Sequence, residues 1–285
     1  MKKNLIALAV LSACMTSAFA QSNVTIYGIL DAGLTHVTNS GPLGDRTTVE
    51  AGQLATSRWG FRGVEDLGNG LKARFGLEGT LFNDTGTFGA ATGTPSTTSM
   101  FDREATVGLF GKFGSIDLGR QNLLGIGSVG LADPMGIAFA GTNPNVLFSA
   151  LNHGGVYGTF GANNGGSALR QSNSIKYVSP TMGGFGFGLM RAFGEQFGGI
   201  QRGSYQGVSA FFNEGPIGLA GAYAHLKNNT DTSRLKSFAI GARFTTKAAV
   251  FKSTYSANEV DTTKQKISVF GVGVDVPVAP AVTLT

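Results

Sequence analysis

Cysteine is almost missing from this chain. Its one copy, Cys14, lies within the first twenty residues, which read as a secretory leader. Lys2-Lys3 gives a basic start, residues 4–11 a short apolar stretch, and Ala18-Phe19-Ala20 a small-x-small cleavage site. With cleavage after Ala20 the rest of the chain has no thiol, which excludes disulfides, thiolate nucleophiles and cysteine metal sites. Leu11-Ser12-Ala13-Cys14 offers a competing site of the bacterial lipoprotein kind. Charge is also scarce. Removing Lys2 and Lys3 takes 22 basic residues to 20 against 17 acidic ones, an excess too small and too dispersed for a nucleic-acid surface. The three histidines, His36, His153 and His225, have no spacing suited to joint metal ligation and read as loop or strand-end residues. No serine stands in a G-x-S-x-G context. Asp102 and Glu104, two residues apart, are weak grounds for an acid/base pair. No metal, cofactor or catalytic group is therefore expected. After the leader no run of 18 apolar residues occurs, so no bilayer-spanning helix is expected. No 3.6-residue apolar period persists, so no helix is predicted in the scaffold.

Glycine, by contrast, is abundant: 44 residues, about twice the usual share, without the Gly-X-Y period of collagen. The dominant pattern is alternation. In the stretch 57–80, Trp59, Phe61 and Gly63 fall on one side of a strand and Arg58, Gly60 and Arg62 on the other. Past the turn at 66–70, Leu71, Ala73, Phe75 and Leu77 oppose Lys72, Arg74, Gly76 and Glu78. A hairpin with one apolar and one charged face results, which a soluble sandwich would also show. Further strands are predicted at 24–36, 101–110, 115–120, 172–179, 185–191, 204–212, 217–226, 235–244, 248–255 and 267–276, with a thirteenth beginning at Val282. Most have the length of a tilted membrane strand.

The connections discriminate between the two architectures. Tight turns (66–70, 111–114, 180–184, 213–216, 245–247, 277–280) alternate with longer polar links (36–50, 83–100, 121–169, 194–203, 227–233, 258–265). An up-and-down barrel does this when one rim carries turns and the other carries loops. The fold class is therefore all-β, an antiparallel transmembrane barrel forming one domain over 21–285. The link 121–169 is too long for a structureless loop in a compact domain and fits best folded inward across a lumen. Within it Gly125-Ile126-Gly127-Ser128-Val129-Gly130 matches G-x-G-x-x-G, but the helix and parallel sheet which that pattern needs are not evident. In so glycine-rich a chain it reads as chance.

These residues resemble the Gram-negative general porins, in particular the anion-selective porins of the beta-proteobacterial type. The likeness is carried by Val24-Thr25-Ile26-Tyr27-Gly28, by Ser57-Arg58-Trp59-Gly60-Phe61-Arg62-Gly63 with Glu65-Asp66-Leu67-Gly68, and by Gly70-Leu71-Lys72-Ala73. Downstream it is carried by Val107-Gly108-Leu109, Gly114-Ser115-Ile116-Asp117-Leu118-Gly119-Arg120-Gln121 and Asn173-Ser174-Ile175-Lys176-Tyr177-Val178-Ser179-Pro180. The resemblance implies a homotrimeric barrel of about 16 strands, its third loop forming a constriction. It implies that Arg58, Arg103 and Arg170 face that loop, with Asp133 as the loop's acidic side. Family members continue through roughly four more strands and end on an aromatic residue, whereas this chain stops at Thr285. A fragment, or a barrel with an open edge, is therefore expected.

Arg58 shares its phase with Arg62, and Arg170 with Ser174 and Lys176. Arginine on a lipid face costs about 2–4 kcal/mol at midplane, so these side chains are expected in the lumen and solvated. Arg103 shares its phase with Ala105, Val107 and Leu109, so alternation alone points it outward. The resemblance places it inward, which would require a bulge. Arg62, Lys72, Arg74, Arg120 and Lys176 are secondary lining candidates. The functional expectation is a passive outer-membrane channel for small hydrophilic solutes and anions, surrounded by outer-membrane lipid and weakly anion-selective. The alternatives are a substrate-specific channel, which needs a line of lumenal aromatics, and an adhesin, which would put its chemistry in the loops.

Overall fold

The computed structural model describes residues 23–38, 44–89, 91–92, 97–137, 157, 160–161, 169–279 and 282–284. The expected leader at 1–20, Cys14 and His153 lie outside these residues. The scaffold is one antiparallel sheet. Its path begins with β1 (Asn23–Ile29), β4 (Arg58–Gly68), β5 (Leu71–Phe82), β9 (Glu104–Gly111) and β10 (Gly114–Asn122). It continues through β11 (Arg170–Val178), β12 (Phe185–Ala192), β13 (Tyr205–Glu214) and β14 (Ile217–Lys227). It ends with β15 (Arg234–Thr245), β16 (Val250–Val260), β17 (Lys266–Ala279) and the short β18 (Val282–Leu284). Each strand pairs with the next one along this path, as in the wall of an up-and-down barrel. Among the described residues no pairing joins β1 to β17 or β18.

Tight turns and long links alternate as the composition suggests. The β4–β5 turn needs three consecutive left-handed residues, Gly68, Asn69 and Gly70 (φ 86°, 53° and 78°). Glycine and asparagine tolerate that conformation at least cost, and the Asp66 carboxylate accepts the Gly68 amide at 2.8 Å.

Register defines two faces. On the outer one Leu219, Tyr223, Phe238, Ile240, Phe251 and Phe270 are exposed, as expected of side chains that meet lipid. The inner one changes character along the sheet. From β1 to β11 it carries charge. From β12 to β17 its middle is rich in small residues aligned across the strands, including Ala222 opposite Ala239 and Ala220 opposite Gly241, with an ion pair of Lys252 and Asp275 (2.6 Å) toward the short-turn rim.

The small-residue half is occupied. The β10–β11 connection holds a short helix, α1 (Leu124–Gly130), which lies against β12 to β16. A side chain at Gly241 would meet the Ser128 carbonyl, one at Gly188 would meet Leu124, and one at Gly273 would meet Pro134. Together these seat residues 124–134 on the inner face. Leu123, Leu124, Val129 and Phe160 pack with Tyr205, Leu226, Leu235 and Val260 into an apolar cluster inside the wall.

This helix corrects the expectation of a loop without secondary structure. Two interior glycines and an N-cap with no side-chain hydrogen bond give it little intrinsic propensity. Packing supplies what propensity does not. The helix coincides with the G-x-G-x-x-G match, but the sheet beside it is antiparallel, so the context for dinucleotide binding is absent.

Other links contain strands too. The expected single strand 24–36 breaks at Leu30-Asp31 into β1 and β2 (Ala32–Val37), and β2 pairs with β3 (Arg46–Ala51). The next long link carries β6 (Thr87–Phe88), β7 (Ala91–Thr92) and β8 (Thr97–Thr98). Asp31 causes the first break. Its carboxylate accepts the amides of Gln53, Leu54 and Ala55 at 3.3, 2.8 and 2.6 Å. Its own amide and carbonyl engage the buried Ser57 hydroxyl. These bonds, that from Ala55 foremost, hold the Asp31 carboxyl below the ordinary carboxylate range.

Two outcomes follow. Gly241→Val should lift α1 from the wall and destabilise the fold by about 1–3 kcal/mol in urea titrations. Gly221→Val, where an added Cβ would meet nothing nearer than the Ala239 carbonyl oxygen at 3.7 Å, should cost less. Because the Asp31 pKa is depressed on folding, its contribution is complete above the unfolded value near 3.8. It is lost only as pH falls through the lower folded value. Hydrogen exchange at residues 53–55 should therefore be insensitive to pairing loss from neutral pH down to about pH 4. It should accelerate beyond the intrinsic pH dependence only at lower pH. Asp31→Asn should reproduce the acid behaviour at neutral pH.

Candidate functional site

The other half of the inner face is open. A cavity of about 860 Å³ lies against β1, β4, β5 and β9 to β11. Five basic side chains line it, Arg62, Arg74, Arg103, Arg170 and Lys176, together with three acidic ones, Glu78, Glu104 and Asp117. Strand register brings them together. Arg62 stands opposite Gly76, Arg74 opposite both Val64 and Gly108, and Asp117 opposite Gly108 and Lys176. A glycine between two long charged groups leaves the space in which they meet.

Two ion pairs cross the ladder at this cavity. Arg74 Nε donates to Asp117 Oδ1 at 2.7 Å, and its Nη2 donates to Oδ2 of the same carboxylate. Such forked contacts are the strong form of the arginine–carboxylate pair. Arg103 Nε donates to Glu78 Oε1 at 2.6 Å, while the Tyr27 hydroxyl donates to Glu78 Oε2 at 3.0 Å. Arg62 is exposed and lies over the Tyr27 ring at 5.1 Å, a cation–π arrangement. The Lys176 ammonium donates to the Asn122 carbonyl at 3.2 Å.

Arg103 faces inward for a reason other than a bulge in its own strand. It precedes β9, in a bend where strict alternation has not begun. Asp102 makes that bend. This carboxylate is only 2% exposed, and its oxygens accept the Thr80 amide at 2.8 Å and the Thr80 hydroxyl at 2.7 Å. The backbone of the bend then collects two more arginines. Arg120 Nε donates to the Asp102 carbonyl, and Arg170 Nε to the Arg103 carbonyl, each at 2.6 Å. Arg120 also donates to the Ser172 hydroxyl at 2.9 Å. A register shift between Gly119 and Gln121, with Gly119 at φ 124° and Asn173 at φ 52°, provides the room.

The sequence candidates therefore separate. Arg62, Arg74, Arg103, Arg170 and Lys176 converge on the cavity. Arg120 supports it from behind, tying β10 to the bend. Arg58 and Lys72 lie on the same inner face, opposite Thr80 and Phe110, but do not line this cavity. Asp133 does not line it either. It is buried in the loop, where its Oδ2 accepts the Ile137 amide at 2.6 Å. Arg170 is not solvated as alternation suggests: it is 5% exposed. Residues whose part the sequence reading missed are Tyr27 and Asp102. Asp102 and Glu104 do not converge as an acid/base pair, since Asp102 holds Thr80 and Glu104 accepts the Thr106 hydroxyl at 2.7 Å. His36 meets the Thr47 hydroxyl, and His225 packs edge-on against Tyr223.

Comparison with known proteins bears on this geometry. A family model described as Gram-negative porin matches residues 7–285. Outer membrane porin protein 32 of Delftia acidovorans is 36% identical over 234 residues, covering 80% of this chain and 60% of that protein. An outer membrane porin protein of Bordetella pertussis is 33% identical over 211 residues, covering 68% of this chain and 48% of that protein. This chain thus spans roughly half to three-fifths of these two curated relatives. Among solved structures, one described as an anion-selective porin from Comamonas acidovorans aligns with a TM-score of 0.73 at 27% identity. That alignment covers 90% of this chain and 75% of the other. The OmpF of Salmonella typhi, in complex with daunomycin, shares the fold with a TM-score of 0.60 at 18% identity.

The bend at Asp102 gives a direct test. Asp102→Asn keeps the shape but turns one acceptor into a donor facing the Thr80 amide or hydroxyl. Losing a buried bond of this kind costs about 1–3 kcal/mol. Urea unfolding should shift by that amount, and hydrogen exchange at residues 80 and 103 should quicken. A variant as stable and protected as the parent would remove Asp102 from this role.

Proposed function

The chain belongs to the Gram-negative porin family, and on that premise we propose that the charged cavity is the water path of a passive diffusion channel. Its setting is the bacterial outer membrane. The substrates of the proposed channel are small hydrophilic solutes, with a weak preference for anions. Supporting this is the sign of the lining: five cationic side chains against three carboxylates. Within about a Debye length, roughly 8–10 Å near physiological salt, such an excess raises the local concentration of anions and lowers that of cations. The solved relative described as anion-selective agrees in sense.

In this reading Arg103 and Arg170 form the fixed positive wall of the narrow region, and Arg58 extends it. Arg62, Arg74 and Lys176 continue the lining, with Lys72 and Arg120 at its edges. The loop acid Asp133 contributes to loop folding more than to a transverse field. The loop 121–169 sets the size limit because α1 and its neighbours fill the small-residue half of the lumen. Among the described residues the cavity's aromatic lining is Tyr27 and Phe75, which favours general diffusion over stacking of sugars. No catalytic step is proposed, because the cavity's carboxylates are engaged in wall contacts. A homotrimer and a leader cleaved after Ala20 belong to the same proposal.

Selectivity tests it. Arg62 is exposed and Lys176 borders the cavity, so neither anchors the bend. Arg62→Glu with Lys176→Gln would turn an excess of two positive charges into an excess of one negative. Glutamate is avoided at 176 because Asp117 stands directly opposite, and like charges there would repel. In planar bilayers with a salt gradient, the parent should show a zero-current potential of anion-selective sign, fading as salt rises. The double variant should reverse or abolish it. A cation-selective parent, or an unchanged variant, would count decisively against the assignment.

A further inference from the structure

Glycines seat the loop at Gly188, Gly241 and Gly273, and others supply the positive φ of the tight turns. Gly127 does neither. It lies inside α1 without a positive φ, and a Cβ added there would meet nothing within 4 Å. Among the described glycines it alone combines an ordinary φ with open space. Glycine is the poorest helix former after proline, so neither packing nor backbone geometry gives a reason for it here.

The space beside Gly127 is a cleft of about 260 Å³ between α1 and strands β13 and β14. Leu124, Gly127, Ser128 and Leu131 form its loop side, and Phe211 and Asn213 stand on its wall side. A Cβ at Gly186 would meet the Phe211 ring, so the ring lies along the wall. The polar end of the cleft is at the short-turn rim. There Asn213 stands opposite Gly218, and Gly218 opposite Arg243. A Cβ at Gly218 would meet Asn213 Oδ1, Leu131 Cδ1 and Arg243 Nε at 3.3, 3.3 and 3.4 Å. The guanidinium therefore converges with two lining residues. Arg243 Nη2 donates to Asn213 Oδ1 at 2.9 Å, which leaves Asn213 its amide N–H groups to offer. Arg243 Nε is buried with no hydrogen-bond partner among the described residues, although buried donors are normally satisfied. The cation opposite it, Lys252, is held by Asp275. Among the described residues Arg243 has no such carboxylate.

We propose that this cleft binds a small organic anion, a single carboxylate carried on one ring or a short branched hydrocarbon. The carboxylate accepts from Arg243 and Asn213. The apolar body lies between Leu124, Leu131 and Phe211 and fills the space beside Gly127. The fit is one of charge and of shape. An arginine without a carboxylate marks one end, and the guanidinium fork matches a carboxylate in geometry. The cleft is smaller than the roughly 300–1,000 Å³ usual for small-molecule pockets, which limits the ligand to about one ring. An inorganic anion would gain the charge contact and leave the apolar lining wet. A neutral ring would cover the lining and leave the guanidinium unmatched. The cleft shares no lining residue with the charged cavity, so its occupancy is separable from anion selectivity.

The test uses the full chain refolded in detergent, titrated with para-fluorobenzoate and followed by fluorine NMR. The parent should bind it saturably. Para-fluorobenzyl alcohol, the same ring without the charge, should bind at least about tenfold more weakly, the worth of one charge-assisted bond. Arg243→Gln should weaken the acid by about the same factor. Gly127→Leu should abolish binding and keep α1 in place, since leucine fills the open space and is the better helix former. Circular dichroism checks the folding of both variants. Arg62→Glu with Lys176→Gln should leave binding unchanged. Equal binding of acid and alcohol to the parent, or no saturable binding of the acid, would overturn the proposal, and neither measurement depends on a variant folding. Undiminished binding by folded Gly127→Leu would also overturn it. Loss of binding in the Arg62 and Lys176 variant would place the anion in the charged cavity, which overturns this site and leaves the channel reading standing.

Discussion

Hydrocarbon offers a polypeptide no hydrogen bonds. Each backbone N–H and C=O left unpaired in it costs several kcal/mol, so a chain that crosses with strands must pair every strand with its neighbours. The rest of this structure depends on that constraint. It explains the continuous antiparallel ladder from β1 to β18, the tight turns at one rim, and the confinement of irregular backbone to the links and the lumen. It also fixes what side chains are free to do. With the backbone committed to the ladder, outward positions answer to lipid and inward positions answer to water or to the loop.

The inner face divides that freedom in two. On β12 to β17 small residues give up their own packing volume, and the loop takes their place. α1 has little propensity of its own, so it exists because alanine and glycine positions in the wall let its backbone approach. On β4 to β11 glycine also alternates with charge, but there it makes room for arginine–carboxylate contacts. One device, a missing side chain, thus serves dry packing on one half and a charged cavity on the other. The helix fills its half with an apolar cluster, which displaces the open volume toward the arginines.

The arginines themselves are organised by backbone as much as by carboxylates. The bend at Asp102-Arg103 presents two carbonyls, and Arg120 and Arg170 each donate to one of them. Asp102 is held by Thr80 on β5, so the bend is pinned to the strand beside it. Burying cations at this density is costly without partners. The two ion pairs and the carbonyl contacts offset that cost while leaving the lining positive.

Much of this was legible in the residues. Alternation of period two revealed the long strands, their lengths and the outward face, because lipid on one side imposes a strict pattern on every strand. The alternation of short and long connections revealed the topology, because a barrel wall leaves its turns no other arrangement. Arg62, Arg74 and Lys176 could be placed inward by phase alone. Phase failed where the chain leaves the ladder. Arg103 turns inward through a bend held by Thr80, on the preceding long strand. Arg120 is accommodated through a register shift at Gly119. The break of the first strand at Asp31 depends on amides from residues 53–55. The helix in the third link, and the burial of Asp133 away from the arginines, depend on a wall assembled from strands far downstream, β12 to β17. The sequence by itself determined what repeats along each strand, since period and charge are local properties of an extended chain. Only the tertiary structure decided where the pattern is broken, because a break is stabilised by partners brought close through the sheet rather than through the chain.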